Sequence, residues 1–180
     1  MISRRITHTV ITMSVFTFLL FTTASAQHLS FNPSVSIPAT VNFQVDLQLT
    51  TNGVTVQGLD VVFSYDPTIV QLDGVSGGGW LTGSGLDFYL WIDPASSLGF
   101  VHVTTALLGM GSSTDGAVLT LDFTALAAGI SPLDFVSFDL RDDTNMLLPA
   151  ATNSIGDQIV IEEAIPNEVW SIGAMKSYWR

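Results

Sequence analysis

The chain has 180 residues, no cysteine, and 16 acidic against 5 basic residues, for a formal net charge of −11. Without cysteine there can be no disulfide, zinc-thiolate site or thiol nucleophile. A surface this acidic repels phosphate backbones and anionic lipid, which sets aside nucleic-acid and membrane-surface partners and favours a basic or neutral one.

Residues 1–26 read as a secretory signal peptide. Arg4 and Arg5 form a basic start, Val10 to Phe21 is an apolar run broken only by Thr12, Ser14 and Thr17, and Ala24-Ser25-Ala26 supplies small residues for cleavage. A membrane span would need about 18 or more apolar residues without such interruptions. The mature protein is expected to begin at Gln27 and to be secreted or held at the cell surface, with no membrane insertion after cleavage. Loss of Arg4 and Arg5 leaves 16 acids against 3 bases, a net charge of −13. An exported domain with no disulfide must stand on its hydrophobic core; that domain is placed at residues 27–164, with a distinct tail at 165–180.

Leu29 to Pro33 reads as a short edge strand, since proline is tolerated there and not in a central strand. From Val41 to Leu49, Val41, Phe43, Val45, Leu47 and Leu49 alternate with Asn42, Gln44, Asp46 and Gln48, the pattern of a sheet with one wet face. Thr51-Asn52-Gly53 turns the chain. In the next strand Leu59, Val61, Phe63 and Tyr65 fall on one side, and Asp60, Val62 and Ser64 on the other. Asp66-Pro67 stops it, because proline has no amide hydrogen for the ladder. A turn through Thr68 and Ile69 leads to a second strand, Val70 to Val75.

Ser76 to Gly85 is rich in glycine, which loses more backbone entropy on ordering than any other residue, and is expected to be a mobile loop carrying Trp80. Phe88 to Ile92 is an aromatic strand ended by Asp93-Pro94. In Phe100 to Leu107, Val101, Val103 and Thr105 alternate with His102, Thr104 and Ala106. A glycine and serine loop from Gly109 to Gly116 precedes the strand Ala117 to Ala125. Ser131 to Leu140 and Gln158 to Glu162 are the last strands, with a turn at Arg141 to Asn145. Apart from short turns near Pro67 or Ala127, no helical period is present. Eight or nine short strands punctuated by turn residues predict an all-β sandwich.

Tyr65-Asp66-Pro67 closing an aromatic strand, followed by Ile69-Val70-Gln71-Leu72, resembles a cohesin domain, the receptor module that holds dockerin-bearing enzymes in cellulosome-type assemblies. The likeness runs from about Leu29 to Glu163. Thr114-Asp115-Gly116 before the alternating strand to Phe123 is similar to a cohesin segment, as are Ala128-Gly129-Ile130 and the closing strand Gly156 to Ile161. The resemblance implies a flattened β-sandwich with jelly-roll topology, where periodicity alone gives only a sandwich. It also implies protein–protein attachment to a dockerin-bearing, polysaccharide-degrading partner outside the cell.

In cohesins of the best-studied class, an aspartate five residues before the tyrosine helps bind the dockerin helix, and Asp60 holds that position. The resemblance thus points to a partner-binding face of Asp60, Val62 and Ser64, joined by His102, Thr104 and Ala106 and by Trp91 or Ile92. Leu107-Leu108 stand where family members often carry an acid. A flat β surface with carboxylates, a histidine and an aromatic suits one helix of a partner.

Two other chemistries have residues to support them. Trp80, Tyr89 and Trp91 are candidates for stacking on sugar rings, which would make the domain a carbohydrate-binding or structural surface module. Asp142, Asp143 and Asn145 place oxygen ligands in one turn suited to calcium, without the glycine and terminal glutamate of a 12-residue calcium loop. No cofactor is implied. Catalysis is poorly supported: His28 and His102 are the histidines beyond the leader, too few for a triad or a histidine metal cluster. The aspartates permit carboxylate pairs, but a small sandwich with no long insertion offers no obvious cleft for glycoside hydrolysis. The tail carries Trp170, Trp179, Lys176 and Arg180 and resembles the short aromatic-basic ends of other secreted bacterial proteins, consistent with a docking signal, a packed helix or a frayed end.

Overall fold

The computed structural model describes residues 26–32, 36–38, 41–93, 98–149 and 156–163. The leader through residue 25 and the tail from residue 164 onward lie outside the described residues, as do the roles expected of them. Ten strands and one short helix follow in order: β1 His28–Asn32, β2 Ser36–Pro38, β3 Asn42–Thr50, β4 Gly58–Ser64, β5 Val70–Gly77, α1 Gly79–Thr82, β6 Phe88–Ile92, β7 Phe100–Leu107, β8 Gly116–Ala125, β9 Gly129–Arg141 and β10 Asp157–Glu162. They form a four-stranded sheet, β1-β3-β8-β5, and a six-stranded sheet, β2-β10-β9-β4-β7-β6. The expected all-β sandwich with jelly-roll topology is therefore present, with ten strands among the described residues in place of eight or nine.

The two sheets bury the apolar set of each alternating strand. Leu59, Val61 and Phe63 of β4 meet Val45, Leu47 and Leu49 of β3, together with Leu119, Leu121 and Phe123 of β8, in one core. Each side chain buried in this way contributes about 1.5–3 kcal/mol, so the core can hold the fold without a disulfide. Phe31 of β1 crosses to the other sheet, stacking on Phe135 at 4.8 Å and meeting Phe63 edge-on at 5.6 Å.

The additional strand, β2, pairs parallel with β10, Ser36 opposite Val160 and Pro38 opposite Glu162. Three residues ending at a proline carry too little alternation to be read from sequence. As the last strand of its sheet, β2 tolerates Pro38.

Tyr65-Asp66-Pro67 acts as a helix-like cap. Asp66 Oδ1 accepts the Thr68 amide at 2.8 Å and its hydroxyl at 2.7 Å, while the Asp66 carbonyl accepts from Ile69 and Val70. The hydrogen bond from the Thr68 hydroxyl, then that from its amide, holds the Asp66 carboxyl below the ordinary value of 3.8. Proline follows directly, where its missing amide costs nothing.

The expected mobile loop at Ser76 to Gly85 is instead ordered structure: β5 runs to Gly77, and α1 follows with Trp80 and Leu81 buried. Glycine serves close approach here. The Gly78 amide donates to Val118 O at 2.8 Å, and a Cβ on Gly78 would lie 2.4 Å from the Ala117 carbonyl oxygen. Trp80 is 4 % exposed and its Nε1 donates to Thr114 O at 3.0 Å, so it anchors the loop before β8 and is removed from the sugar-stacking candidates.

Asp115, in that same loop, ties it to the end of β3. Its Oδ1 accepts from the buried Thr51 amide at 2.7 Å and lies 3.0 Å from the Thr51 hydroxyl.

Candidate functional site

The outer face of the six-stranded sheet is set by period two. Because Leu59, Val61 and Phe63 point into the core, Asp60, Val62 and Ser64 must point out. The same rule turns His102, Thr104 and Ala106 outward from β7, where Val101, Val103, Thr105 and Leu107 are buried.

Register aligns these residues in rows across four strands. One row runs Asp139, Asp60, Thr104, Trp91 from β9 to β6. A second runs Ser137, Val62, His102, and a third runs Arg141, Gly58, Ala106, Tyr89. All seven expected partner-binding residues thus lie on one face. Of the pair Trp91 or Ile92, it is Trp91 that joins them, its ring meeting His102 edge-on at 5.6 Å.

Asp60 sits at the centre of a polar cluster. Its Oδ2 accepts from the Thr104 hydroxyl at 2.6 Å, and both carboxylate oxygens lie 3.1 Å from His102 Nε2. On its other side, His102 Nδ1 lies 3.8 Å from Asp93 Oδ2. The imidazole thus has a carboxylate on each side, and the Trp91 indole stands nearly perpendicular to it. The Asp60 side chain remains 43 % exposed.

Four contributors were not read from sequence as site residues: Gly58, Asp93, Asp139 and Arg141. Asp93 appeared there only as a strand stop. Gly58 and Ala106 are small residues side by side, and they floor a shallow cavity of about 600 Å³ whose rim includes Asp60, Leu108, Asp139 and Arg141. Register across the sheet defines this depression, and no local motif encodes it. Asp139 stands directly opposite Asp60, an arrangement that disfavours the free surface and favours a cation placed over it. Leu108, directly after β7, is exposed.

The Asp142 turn is organised from within. Asp142 Oδ1 accepts from the Thr144 amide and hydroxyl at 2.9 and 2.8 Å and from the Met146 amide at 2.8 Å. The Thr144 hydroxyl, then the Met146 amide, hold its carboxyl below the ordinary value. The Asn145 carbonyl accepts from Arg141 at 3.1 Å, and Asn145 takes φ 61°. With Asp142 Oδ1 and Asn145 O engaged by protein donors, the turn needs no ion to explain it. Among the described residues no group of three or more His, Cys, Asp or Glu is disposed to hold a metal. None of the described helices is long and apolar enough to cross a membrane.

No protein-family profile and no curated protein sequence matches this chain. Solved structures do, and the fold is that of cohesin modules. The sixth cohesin of scaffoldin B from Acetivibrio cellulolyticus, solved in complex with a Cel5 dockerin mutant, aligns with TM-score 0.63 and 19 % identity, covering 77 % of this chain and 100 % of that one. A non-cellulosomal cohesin from the hyperthermophilic archaeon Archaeoglobus fulgidus aligns with TM-score 0.61 and 16 % identity over 87 % of this chain and 100 % of that one. A type II cohesin domain from the Acetivibrio cellulolyticus cellulosome gives 0.62 and 12 % over 75 % and 95 %.

Proposed function

We propose that this chain is a secreted attachment module, not an enzyme, whose β9-β4-β7-β6 face captures a dockerin-bearing protein. The observation that carries this reading is the Asp60-His102-Thr104 cluster, set on the outward face of the six-stranded sheet beside a floor of Gly58 and Ala106. Trp91 and Tyr89, 38 % and 49 % exposed, offer aromatic contact at its margin. A partner helix laid across the rows would bring apolar side chains to the Gly58 and Ala106 floor and a Lys or Arg to the Asp60 and Asp139 pair. Cohesins of the same fold have been solved with dockerins bound, which supports the class of partner. The signal-peptide reading of residues 1–26 supports an extracellular site, and a polysaccharide-degrading enzyme is the partner expected there.

The test is a binding titration of the mature protein against dockerin domains recovered by pull-down from the native secretome. Asp60→Ala is expected to weaken capture by about tenfold or more. Unchanged affinity would remove Asp60 from the interface, and failure to retain any dockerin would overturn the reading.

A further inference from the structure

Strand β6 ends the six-stranded sheet, and among the described residues no strand pairs with its outer edge. The ladder with β7 decides what that edge presents. Asp93 N donates to His102 O at 3.0 Å and Leu108 N to Asp87 O at 2.8 Å, in a register running from Phe88 opposite Leu107 to Ile92 opposite Val103. Antiparallel alternation therefore turns the backbone groups of residues 87, 89, 91 and 93 toward β7. The N–H and C=O groups of Phe88, Leu90 and Ile92 turn toward the open edge.

Exposed edges are usually blunted by lysine, proline or a bulge within the strand. Phe88-Tyr89-Leu90-Trp91-Ile92 has none of these, and its flanking charges are Asp87 and Asp93. By period two, Asp87, Tyr89, Trp91 and Asp93 share one face. It is the face of His102, which Trp91 and Asp93 both approach. The edge therefore displays acid, aromatic, aromatic, acid at alternate positions.

We propose that β6 is a strand-docking edge for an extended, antiparallel peptide segment with Lys or Arg at both flanks and two aromatic or β-branched residues between them at alternate positions. Such a segment would bond the backbone groups of Phe88, Leu90 and Ile92. Its own side chains would stand opposite Asp87, Tyr89, Trp91 and Asp93 in the non-hydrogen-bonded pairs, where the two backbones come closest, at about 4.5 Å. Opposite charges and aromatic–β-branched pairs stabilise there, and like charges do the reverse.

The same rule disfavours a second copy of this chain. Antiparallel self-pairing centred on Leu90 would set Asp87 against Asp93 of the other copy at both ends. Beyond the leader the sequence holds only Arg141, Lys176 and Arg180 as bases, so the cations are expected from a different protein. This docking mode bonds the backbone of the sheet edge; it shares Tyr89, Trp91 and Asp93 with the outward face but does not depend on capture of a helix there.

The test is amide hydrogen exchange and NMR titration of the full chain with the peptide acetyl-Lys-Thr-Tyr-Thr-Val-Thr-Lys-amide, against the same peptide with Glu at both ends. At saturation, exchange at Phe88, Leu90 and Ile92 is expected to slow by roughly tenfold or more. The Glu-flanked peptide is expected to bind about fivefold more weakly at low salt, and Asp87→Lys to narrow that difference. Equal binding of the two peptides, or protection elsewhere on the face, overturns the proposal. Protection of the three amides in the free chain overturns it too: if it grows with protein concentration the occupant is a second copy, and if it does not, the chain covers its own edge. The peptide result stands whatever the dockerin titration gives.

Discussion

His102 Nε2 lies 3.1 Å from both carboxylate oxygens of Asp60, and the two residues come from neighbouring strands, 42 positions apart. Both side chains keep about a third or more of their surface in water, 33 % for His102 and 43 % for Asp60. Contacts between groups this exposed contribute little to folding, about 0–1 kcal/mol. Asp60→Ala should therefore lower the urea midpoint only slightly while reducing partner affinity much more. A stability loss comparable to a core truncation would make the cluster structural and sink the binding role.

Capture of a basic partner by this face should weaken with salt, since Asp60, Asp93 and Asp139 present like charge within a short span. The association rate is expected to fall as sodium chloride is raised, with less change in the dissociation rate. Stopped-flow or surface-based kinetics would check this, and a rate indifferent to salt would rule out charge steering.

Acid stability has a defined sign. Asp66 and Asp142 both have carboxyls held below 3.8 in the folded chain, chiefly by hydrogen bonds from Thr68 and Thr144. Groups lowered in this way stabilise the fold above their unfolded value and lose that contribution as pH falls through the folded value. Thr68→Ala is expected to raise the Asp66 titration point, visible by NMR. Asp66→Asn and Asp142→Asn should each flatten the acid side of the stability profile below about pH 4.

Gly78→Ala should destabilise the domain. The added methyl would meet the Ala117 carbonyl at 2.4 Å, and because that oxygen is backbone within β8, the strand or α1 has to move. A loss of about 1–3 kcal/mol is expected, measured by thermal or urea unfolding, with Trp80 emission shifting red as its cover loosens. A neutral result would show that α1 can slide without cost.

Asp115→Ala should cost about 1–3 kcal/mol by stripping the buried Thr51 amide of its acceptor. Asp115→Asn keeps an acceptor oxygen and should recover much of that. Equal losses for the two variants would assign the effect to charge instead of hydrogen bonding.

The fold was readable wherever one face of a strand is wet. The alternation of Val41 to Leu49 and of Leu59 to Tyr65 matches β3 and β4 nearly residue for residue, and Asp60 could be placed outward from the same count. The failures have physical causes. The glycines at 77–79 looked like chain without structure, when Gly78 in fact lets the backbone touch β8 and brings Trp80 inside. β2 is too short and too rich in proline to show a period. The part of the site that went unread, the Gly58 and Ala106 floor and the facing acids Asp60 and Asp139, depends on which strands are neighbours, and periodicity within a strand does not specify that.

The parallel seam between β2 and β10 has a mechanical consequence. If tension enters before Ser36 and leaves after Glu162, it pulls the two strands along their length in opposite senses, so the cross-links between them are loaded together in shear and are not peeled apart one at a time. Pulled in that direction, the seam would yield only when its links gave way together.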